Sequence, residues 1–463
     1  MKRPARGHRR SAAALLSVSV AIGLVLAGCA GTTKPAASAS SSSFDLNCNG
    51  CGDGKTIHVL LENWGQPQDQ QQAWEDQVSA AFHKATGANV EYTEYVGSAG
   101  ELTAIETGAA SQSGPDVFQV ANSLVATANS AGVFSKITAD QWKLLGGKDR
   151  FLPEATSDAL TGGTMVAQWL SDTLMAYNTK LFDQAGIKSA PTTWNQFVDD
   201  AKKITALGNG TYGVGFDPLD PYDPWHEIYL FAKQNGGDLV DTTDPAPSRL
   251  SGAATKAAVN FWFDFYNKFK IAPPESLTWT QAQEMAAFAQ GKIGMLLLTT
   301  AQVNSVSQGQ PAEGNIAFAG MPSVPYGKTS LPKGVKPIRT LTFSWNLGVT
   351  KWSSQKDLAY RYLQVATSLK AEQLLAKAFN EVPSTVEASK AEAGNPALAD
   401  SIKFMAGGAA PPALAYWGTV EVAIADATAS ISRQLQNGQY SSAIVSDALK
   451  TADAKVNAAV AAQ

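Results

Sequence analysis

LMAYNTKLFDQAGIKSAPTTWNQFVDDAKKI, residues 174–204, contains the strongest local indication of the fold. It opens as an apolar, extended run, which favours a buried strand. Thr193 then precedes a helical pattern and Gln196 follows three residues later, a pair typical of a helix N-terminus. The apolar stripe of that helix is Phe197, Ala201 and Ile204. The stretch therefore predicts a strand followed by a helix that packs against a core.

The same alternation continues in both directions. Strand-like segments such as KTIHVLLEN (55–63) and FSWNLGVT (343–350) are separated by helical segments such as ATKAAVNFWFDFYNKF (254–269). Strands that alternate with helices predict an α/β fold with sheets rich in parallel pairs. The 409 residues from 55 to 463 are too many for one core, so two domains are expected.

The N-terminus has the three parts of an export signal. The first ten residues hold five basic side chains and no acidic one, and a mostly apolar run follows over residues 12–27. That run is shorter than the ~20 residues of a comfortable membrane span. Leu-Ala-Gly-Cys at residues 26–29 resembles the lipobox of bacterial lipoproteins, in which the Cys sulfur carries a diacylglycerol and the chain is cut just before it. The resemblance implies a signal peptide over residues 1–28 and lipidation of Cys29.

Residues 29–54 are predicted to be a lipid anchor at Cys29 followed by a flexible linker. It is rich in Ala, Ser and Thr and has little apolar bulk, so it cannot bury enough surface to offset its ordering entropy. We expect an exported protein that is anchored to the outer face of the cytoplasmic membrane, at the cell surface. No second run of 18 or more apolar residues occurs, so the lipid is the only membrane attachment expected.

The net charge of the chain argues against nucleic acids and anionic membrane surfaces as partners. Cleavage of residues 1–28 would remove five positive charges from a chain whose formal charge is −4, so the remaining chain has a formal charge of −9. An acidic chain without a Lys/Arg cluster does not suit a nucleic acid or an anionic membrane surface. Hydrophobic content of 44% and charged content of 16% are those of a globular protein, and we expect a monomer.

Cys48 and Cys51 leave two interpretations open. A CxxC pair can form a tight disulfide, or it can belong to a redox or zinc site. No second CxxC pair occurs, and the following segment is strand-like and does not begin a helix. A disulfide in an oxidising compartment is therefore favoured.

No catalytic signature stands out in the sequence. HExxH, GxSxG and His-rich metal spacings are all missing, and the chain beyond the signal holds three histidines. Paired carboxylates for glycoside hydrolysis stay possible, because such pairs form in space and not in sequence. We expect a binding protein without a cofactor or metal, and not an enzyme.

Five stretches in order resemble one family: the extracellular solute-binding proteins of bacterial ABC importers, in the group that mostly carries oligosaccharides. Besides residues 174–204, the five stretches are GPDVFQVANSLVATANSAGVFSKIT (114–138), FAKQNGGDLVD (231–241), MAAFAQGKIGMLLLTT (285–300) and YWGTVEVAIADATASI (416–431). The family often has a Pro in the strand before Tyr-Asn, where this chain has AQWLSD (167–172).

The resemblance implies a two-lobe, periplasmic-binding-protein-like α/β fold whose discontinuous lobes are joined by crossover strands. Crossings are expected near residues 168–172, 299–300 and 345–348. The first lobe would then comprise residues 55–170 with a return segment at 299–346. The second lobe would comprise residues 171–298 and a C-terminal helical part at 347–463. Ligands would bind in the cleft outside the carboxyl ends of the strands, and a hinge motion would close it.

Aromatic and polar residues that follow strands, lie in Pro-rich loops such as that of Trp225, or stand at the crossings are candidates for a sugar site. A Trp ring covers the apolar face of a pyranose, while polar groups bind its hydroxyls. Two interpretations of each candidate Trp are open: it contacts the ligand, or it packs at the surface. Asp172 is expected either to bind a ligand hydroxyl or to serve as a hinge or cap. Trp417 also matches a family position where an aromatic commonly lines the cleft. The candidates are Trp64, Gln119, Asn122, Asp172, Trp225, Trp345 and Trp417.

The expected function is capture of a sugar or oligosaccharide between the lobes and its delivery to the permease of an ABC importer. Two alternatives belong to other classes. One is an exported carbohydrate-active enzyme, and the other is a sensory or adhesion lipoprotein that binds a glycan without transport.

Overall fold

The computed structural model describes residues 48, 50–64, 68–241, 247–307, 309–405 and 407–462. The predicted signal peptide (1–28), the lipidation site Cys29 and most of the predicted linker (29–54) lie outside the described residues. Cys48 and Cys51 form a disulfide at the start of the described chain. Among the helices within these ranges, none has both the length and the apolarity of a membrane span.

Within the described residues, nine strands alternate with seventeen α-helices. The strands are β1 (Thr56–Glu62), β2 (Asn89–Tyr95), β3 (Val117–Ala121), β4 (Met165–Asn178), β5 (Tyr212–Val214), β6 (Ile293–Thr299), β7 (Ile316–Ala319), β8 (Thr342–Val349) and β9 (Val382–Pro383). The helices are α1 (Gln68–Thr86), α2 (Gly97–Ser111), α3 (Asn122–Ser130), α4 (Ala139–Leu144), α5 (Asp158–Thr161), α6 (Thr179–Gln184), α7 (Trp194–Thr205), α8 (Pro224–Gln234), α9 (Ala253–Asn267), α10 (Gln281–Ala289), α11 (Val303–Ser307), α12 (Lys356–Ala366), α13 (Leu369–Phe379), α14 (Val386–Ala391), α15 (Pro396–Met405), α16 (Trp417–Gln436) and α17 (Ser442–Ala461).

β4 joins two half-sheets. Its first part, up to Asp172, pairs antiparallel with β8, whereas its second part, from Thr173 onward, pairs antiparallel with β6 and β7. On one side the sheet continues from β8 through β3 and β1 to β2, and on the other from β6 to β5. β1 is parallel to β2 and β3, and β5 is parallel to β6. The fold is thus mixed α/β, as predicted.

Hydroxyl groups satisfy the backbone of β4 where it changes partners. Thr300 Oγ1 accepts a hydrogen bond from Asp172 N at 3.3 Å and lies 2.8 Å from Ser171 Oγ. Thr340 Oγ1 donates to Thr173 O at 2.8 Å, and Thr173 Oγ1 accepts from Leu341 N at 2.8 Å. Because all these groups are buried, the side chains replace ladder bonds whose loss would otherwise cost free energy.

Each half-sheet has its own hydrophobic core, and we call the two halves the first and second lobes. In the first lobe, α1, α12 and α13 cover β1 with side chains that include Trp74, Phe82 and Tyr362. In the second lobe, α7, α8, α9, α16 and α17 surround Phe216, Trp225 and Trp417. Trp345 on β8 packs against both cores.

The lobe boundaries differ from those expected from the sequence. Residues 299–341 do not return to the first lobe, because β7 pairs with the second part of β4 and Gln234 on α8 donates to the carbonyls of Pro322 and Ile338. Residues 342–405 belong to the first lobe and not to the second, since β8 lies between β3 and β4 and the apolar faces of α12 and α13 join the core over β1. Only the chain around α16 and α17 matches the expected C-terminal helical part.

The prediction for residues 174–204 is confirmed. β4 ends at Asn178, and α7 begins after Thr193, whose hydroxyl accepts a hydrogen bond from Gln196 N while the Gln196 side chain accepts from Thr193 N. The stripe formed by Phe197, Ala201 and Ile204 is completely buried. The helix lies directly on β5, because a Cβ placed on Gly213 would be 2.2 Å from the carbonyl oxygen of Ala201.

Trp225 and Trp417 are core residues of the second lobe, which corrects their expected place in a solvated cleft wall. Both are fully buried, and their ring centroids are 5.6 Å apart. Trp225 lies within α8 and not in a loop, because Pro224 takes the first helical position. Trp417 begins α16 on the same buried face as Val420 and Ile424.

We expect Trp417→Ala to lower the free energy of unfolding by ~3–5 kcal/mol, because the deletion leaves a cavity among packed aromatic rings. Chemical denaturation followed by circular dichroism measures this change. Tyr326→Ala is the control, since Tyr326 is an aromatic residue with 36% of its surface exposed, and its loss should cost much less. Equal destabilisation by the two variants would contradict the packing of Trp417.

We also expect Gly213→Ala to destabilise the protein by about 1–3 kcal/mol, because the new methyl group forces α7 away from β5. Gly394→Ala is the matched control, since no atom lies within 4 Å of a Cβ built there. Thermal unfolding of the two variants should show a lower melting temperature for Gly213→Ala alone. An unchanged melting temperature for this variant would mean that α7 lies farther from the strand.

Candidate ligand-binding cleft

A cavity of about 380 Å³ lies where the two lobes meet. This volume is within the range of small-ligand sites. The first lobe and β8 contribute Glu62, Asn63, Trp64, Trp169, Phe343, Trp345, Leu375, Phe379 and Glu381. The second lobe contributes Tyr222, Asp223, His226, Gln281, Met285, Thr299, Ala301, Gln302 and Ser305.

Strand ends place several of these side chains. Glu62 is the last residue of β1 and Trp64 follows two residues later, while Thr299 ends β6. β1 and β6 are each parallel to a neighbouring strand, so the cavity lies outside the carboxyl ends of parallel strands in both lobes. Open α/β sheets bind their ligands at such positions.

Aromatic rings form one side of the cavity. Trp345 is directly opposite Trp169 in the pairing of β4 with β8, and their rings stack with centroids 5.7 Å apart at an angle of 20°. Trp64 lies edge-on to Trp169 at 5.0 Å and to Phe379 at 5.4 Å. Trp64 and Trp345 are half-buried, so each ring keeps surface that a ligand can cover.

Gln119 lies behind this aromatic group and not in the cavity lining. Its Oε1 accepts hydrogen bonds from Glu62 N at 2.8 Å and from Trp64 Nε1 at 3.3 Å. Its Nε2 donates to Gln168 Oε1 at 2.6 Å. Gln119 is completely buried, so it positions Glu62 and Trp64 through these bonds.

Asn122 and Asp172 are also buried outside the lining. Asn122 Oδ1 accepts from Ser344 N at 3.1 Å, which ties α3 to β8. Asp172 lies at the change of partners in β4, where burial raises its pKa to about 7 while hydrogen bonds from Ser401 and Thr340 lower it in part. Asp172 therefore does not line the cavity, and its hinge or capping role stays a prediction.

Of the seven candidates, only Trp64 and Trp345 line the cavity. Trp225 and Trp417 pack behind it, as Trp225 lies 5.8 Å from the cavity-lining Phe343 between ring centroids. Sequence reasoning missed Trp169, although this Trp stands inside the predicted crossing at residues 168–172. It also missed Phe379, the last residue of α13, and Glu381, which follows that helix; neither has a local signal of a site.

Three carboxyl groups that belong to the cavity lining have raised pKa values. Burial raises the pKa of Glu62 to about 7, and the hydrogen bond from Trp345 Nε1 opposes this rise only in part. Burial also raises the pKa of Glu381 and of Asp223 well above their usual range. His226 Nδ1 lies 3.4 Å from Asp223 Oδ1, and burial lowers the pKa of His226 to about 3, so its imidazole is neutral at pH 7.

Within the described ranges, no group of three or more His, Cys, Asp or Glu side chains has a geometry that could hold a metal ion. The cavity therefore offers aromatic surface, amide and hydroxyl groups, a neutral imidazole and carboxyl groups. This set of groups is suited to binding a polar molecule that also has apolar faces.

Comparison with known proteins agrees with this architecture. The diacetylchitobiose binding protein DasA of Streptomyces coelicolor is 27% identical over 381 residues, which cover 80% of this chain and 82% of DasA. The maltose-bound MalE3 of T. maritima has a TM-score of 0.70 at 20% identity and covers 87% of this chain and 99% of its own. An ABC substrate-binding protein of Listeria monocytogenes in complex with cycloalternan also has a TM-score of 0.70 at 20% identity, with 88% and 100% covered.

The two solved structures establish the two-lobe binding-protein fold for this chain. The model of the bacterial extracellular solute-binding proteins matches residues 64–373, which is more than half of the sequence. This match spans both lobes and most of the cavity lining. The chain belongs to the family of bacterial extracellular solute-binding proteins, and it is a binding protein and not an enzyme.

Proposed function

We propose that this protein captures a sugar or oligosaccharide in the cleft between its lobes and delivers it to the permease of an ABC importer. The observation that carries the proposal is the placement of Trp64, Trp169 and Trp345 beside polar groups at the strand ends. A pyranose presents an apolar face of C–H groups and a rim of hydroxyls, which such a lining complements.

Relatives support the sugar class. DasA is named for diacetylchitobiose, and the two similar structures hold maltose and cycloalternan. The polar groups of Asn63, Gln281 and Gln302 line the same cavity and suit hydroxyls. Binding would favour the closed arrangement of the lobes, and the permease would recognise that form.

Two other functions make different predictions. An exported carbohydrate-active enzyme would release reducing ends from oligosaccharides, whereas we expect none from this protein. A sensory or adhesion lipoprotein would bind the same ligand but would not support its uptake. If the protein serves transport, deletion of its gene should abolish sugar uptake, and expression of the intact chain should restore it. A sensory or adhesion lipoprotein would show neither effect.

We expect a panel of neutral oligosaccharides, including maltose, diacetylchitobiose and cellobiose, to contain a member that raises the melting temperature of residues 48–463. A ligand at about 100 times its dissociation constant stabilises the folded state by about 2.7 kcal/mol. Trp345→Ala should weaken binding by roughly thirtyfold, or about 2 kcal/mol, as the loss of an aromatic anchor does.

Trp345→Phe keeps an aromatic ring but removes the hydrogen bond to Glu62, so it should retain more affinity than Trp345→Ala. Tyr326→Ala removes an aromatic residue that does not line the cavity and should bind normally. If no carbohydrate stabilises the protein, or if Trp345→Ala binds as well as the wild type, the proposed sugar site is wrong.

We further propose that Cys29 carries the lipid that holds the protein on the outer face of the cytoplasmic membrane, where it acts as a monomer. The lipobox resemblance at residues 26–29 supports this attachment, and two or more acyl chains suffice for stable anchoring.

Cys29→Ala should therefore shift the protein from the membrane fraction to the culture medium or the soluble fraction, as an immunoblot of fractionated cells can measure. Cys48→Ala is the control, because Cys48 lies within the disulfide and its variant should stay in the membrane fraction. Persistence of the Cys29→Ala protein in detergent-extracted membranes would refute the anchor.

A further inference from the structure

The cavity lining is acidic and lacks an opposing charge. Glu62, Asp223 and Glu381 belong to the lining, and none of its described residues is a Lys or an Arg. The only basic side chain there is His226, which burial keeps neutral. The lining therefore provides three carboxyl groups and no cation for them.

One of these carboxyl groups has a buried oxygen atom without a hydrogen-bond partner among the described residues. Glu381 is only 4% exposed, and its Oε2 has no hydrogen-bond partner within the described part of the chain. Glu62 Oε2 accepts a hydrogen bond from Trp345 Nε1. A buried carboxyl oxygen without a partner is costly, so a ligand that donates a hydrogen bond to Glu381 would be stabilised.

The described neighbours that shift the pKa values of Glu381 and Asp223 are acidic or hydroxyl-bearing, and none of them is a Lys or an Arg. Glu62 and Asp172 raise the pKa of Glu381, and hydrogen bonds from Ser171 and Thr300 lower it in part. Asp220 raises the pKa of Asp223. Burial is the largest cause in each case, because ionisation without a counter-charge is unfavourable in a dry site. A positively charged ligand would remove this cost.

We propose that the ligand itself brings the cation: the cleft takes a sugar or cyclitol with a protonated amino group, which Glu62 and Glu381 bind. This inference rests on the proposed function and narrows the ligand class. An anionic sugar such as a uronic acid would meet the same carboxyl groups and be disfavoured.

The aromatic rings near these carboxyl groups favour the same ligand. Trp64 and Phe379 line the cavity with their ring centroids 5.4 Å apart. The face of an aromatic ring attracts an ammonium group, while the C–H face of a sugar packs on the ring next to it. The same lining thus provides an apolar surface for the sugar ring and negative charge for its amine.

Two matched pairs of probes test the proposal by titration calorimetry at pH 6.5. Chitobiose carries free amines where cellobiose carries hydroxyls on the same β-linked frame, and acarbose carries a secondary amine that its neutral α-linked counterpart maltotetraose lacks. We expect at least one amine to bind roughly tenfold or more tightly than its neutral partner. A tenfold ratio corresponds to about 1.4 kcal/mol.

The variants Glu62→Gln and Glu381→Gln keep the shape of the side chain and remove its charge, so each should reduce the preference for the amine to less than about threefold. Glu106→Gln alters an exposed carboxylate of α2 and should keep the full preference. Melting curves show whether each variant is folded. If a Gln variant does not fold, the ratio measured on the wild type decides.

The proposal is overturned if neither amine is preferred over its neutral partner, if neither amine binds, or if the folded Gln variants keep the preference. Binding of cellobiose or maltotetraose in those cases would leave the proposed sugar-binding function intact. If no carbohydrate binds at all, the proposed function fails as well. The two failures are therefore distinguishable.

Discussion

The structure depends on one strand that serves two sheets. β4 stays extended and almost wholly buried over its full length, yet it changes neighbours between Asp172 and Thr173. The backbone groups at this point would be unsatisfied without the hydroxyls of Thr300, Thr340 and Thr173. Since unpaired polar groups are costly in a buried strand, these three side chains make the change of partners possible.

The position of the cleft follows from this arrangement. Because β4 belongs to both half-sheets, the strand ends of both lobes face the same space, and Trp169 and Trp345 are cross-strand neighbours beside it. Buried Asp172 lies at the same junction, where β4 changes partners. The aromatic side of the cavity and the junction of the two cores therefore share Trp345.

Acidic side chains give the site its chemical character. Carboxyl groups that are buried without cations usually lose their charge, and the raised pKa values of Glu62 and Glu381 follow that rule. Trp345 connects the two features of the lining, since its ring stacks on Trp169 while its Nε1 donates to Glu62. The same few side chains thus combine apolar surface with hydrogen-bonding groups.

The sequence by itself determined the local elements and the family. The capping pair Thr193 and Gln196, the stripe on α7 and the extended run of β4 all depend on residues a few positions apart, so periodicity and turn chemistry suffice to predict them. Five ordered stretches then indicated the two-lobe fold. Trp64 was predicted because it follows the first strand, and Trp345 because it lies at the third expected crossing.

Only the tertiary structure decided which segments share a lobe and which side chains meet in the cleft. α12 and α13 are separated from β1 by about 300 residues of sequence, and nothing local shows which sheet their apolar faces cover. Trp417 is of a residue type that is common at sugar-binding sites. It packs in the core instead, because it lies on the face of α16 that contacts Trp225. Glu62 and Glu381 come together for the same reason: their proximity depends on contacts between distant segments, which a local pattern does not encode.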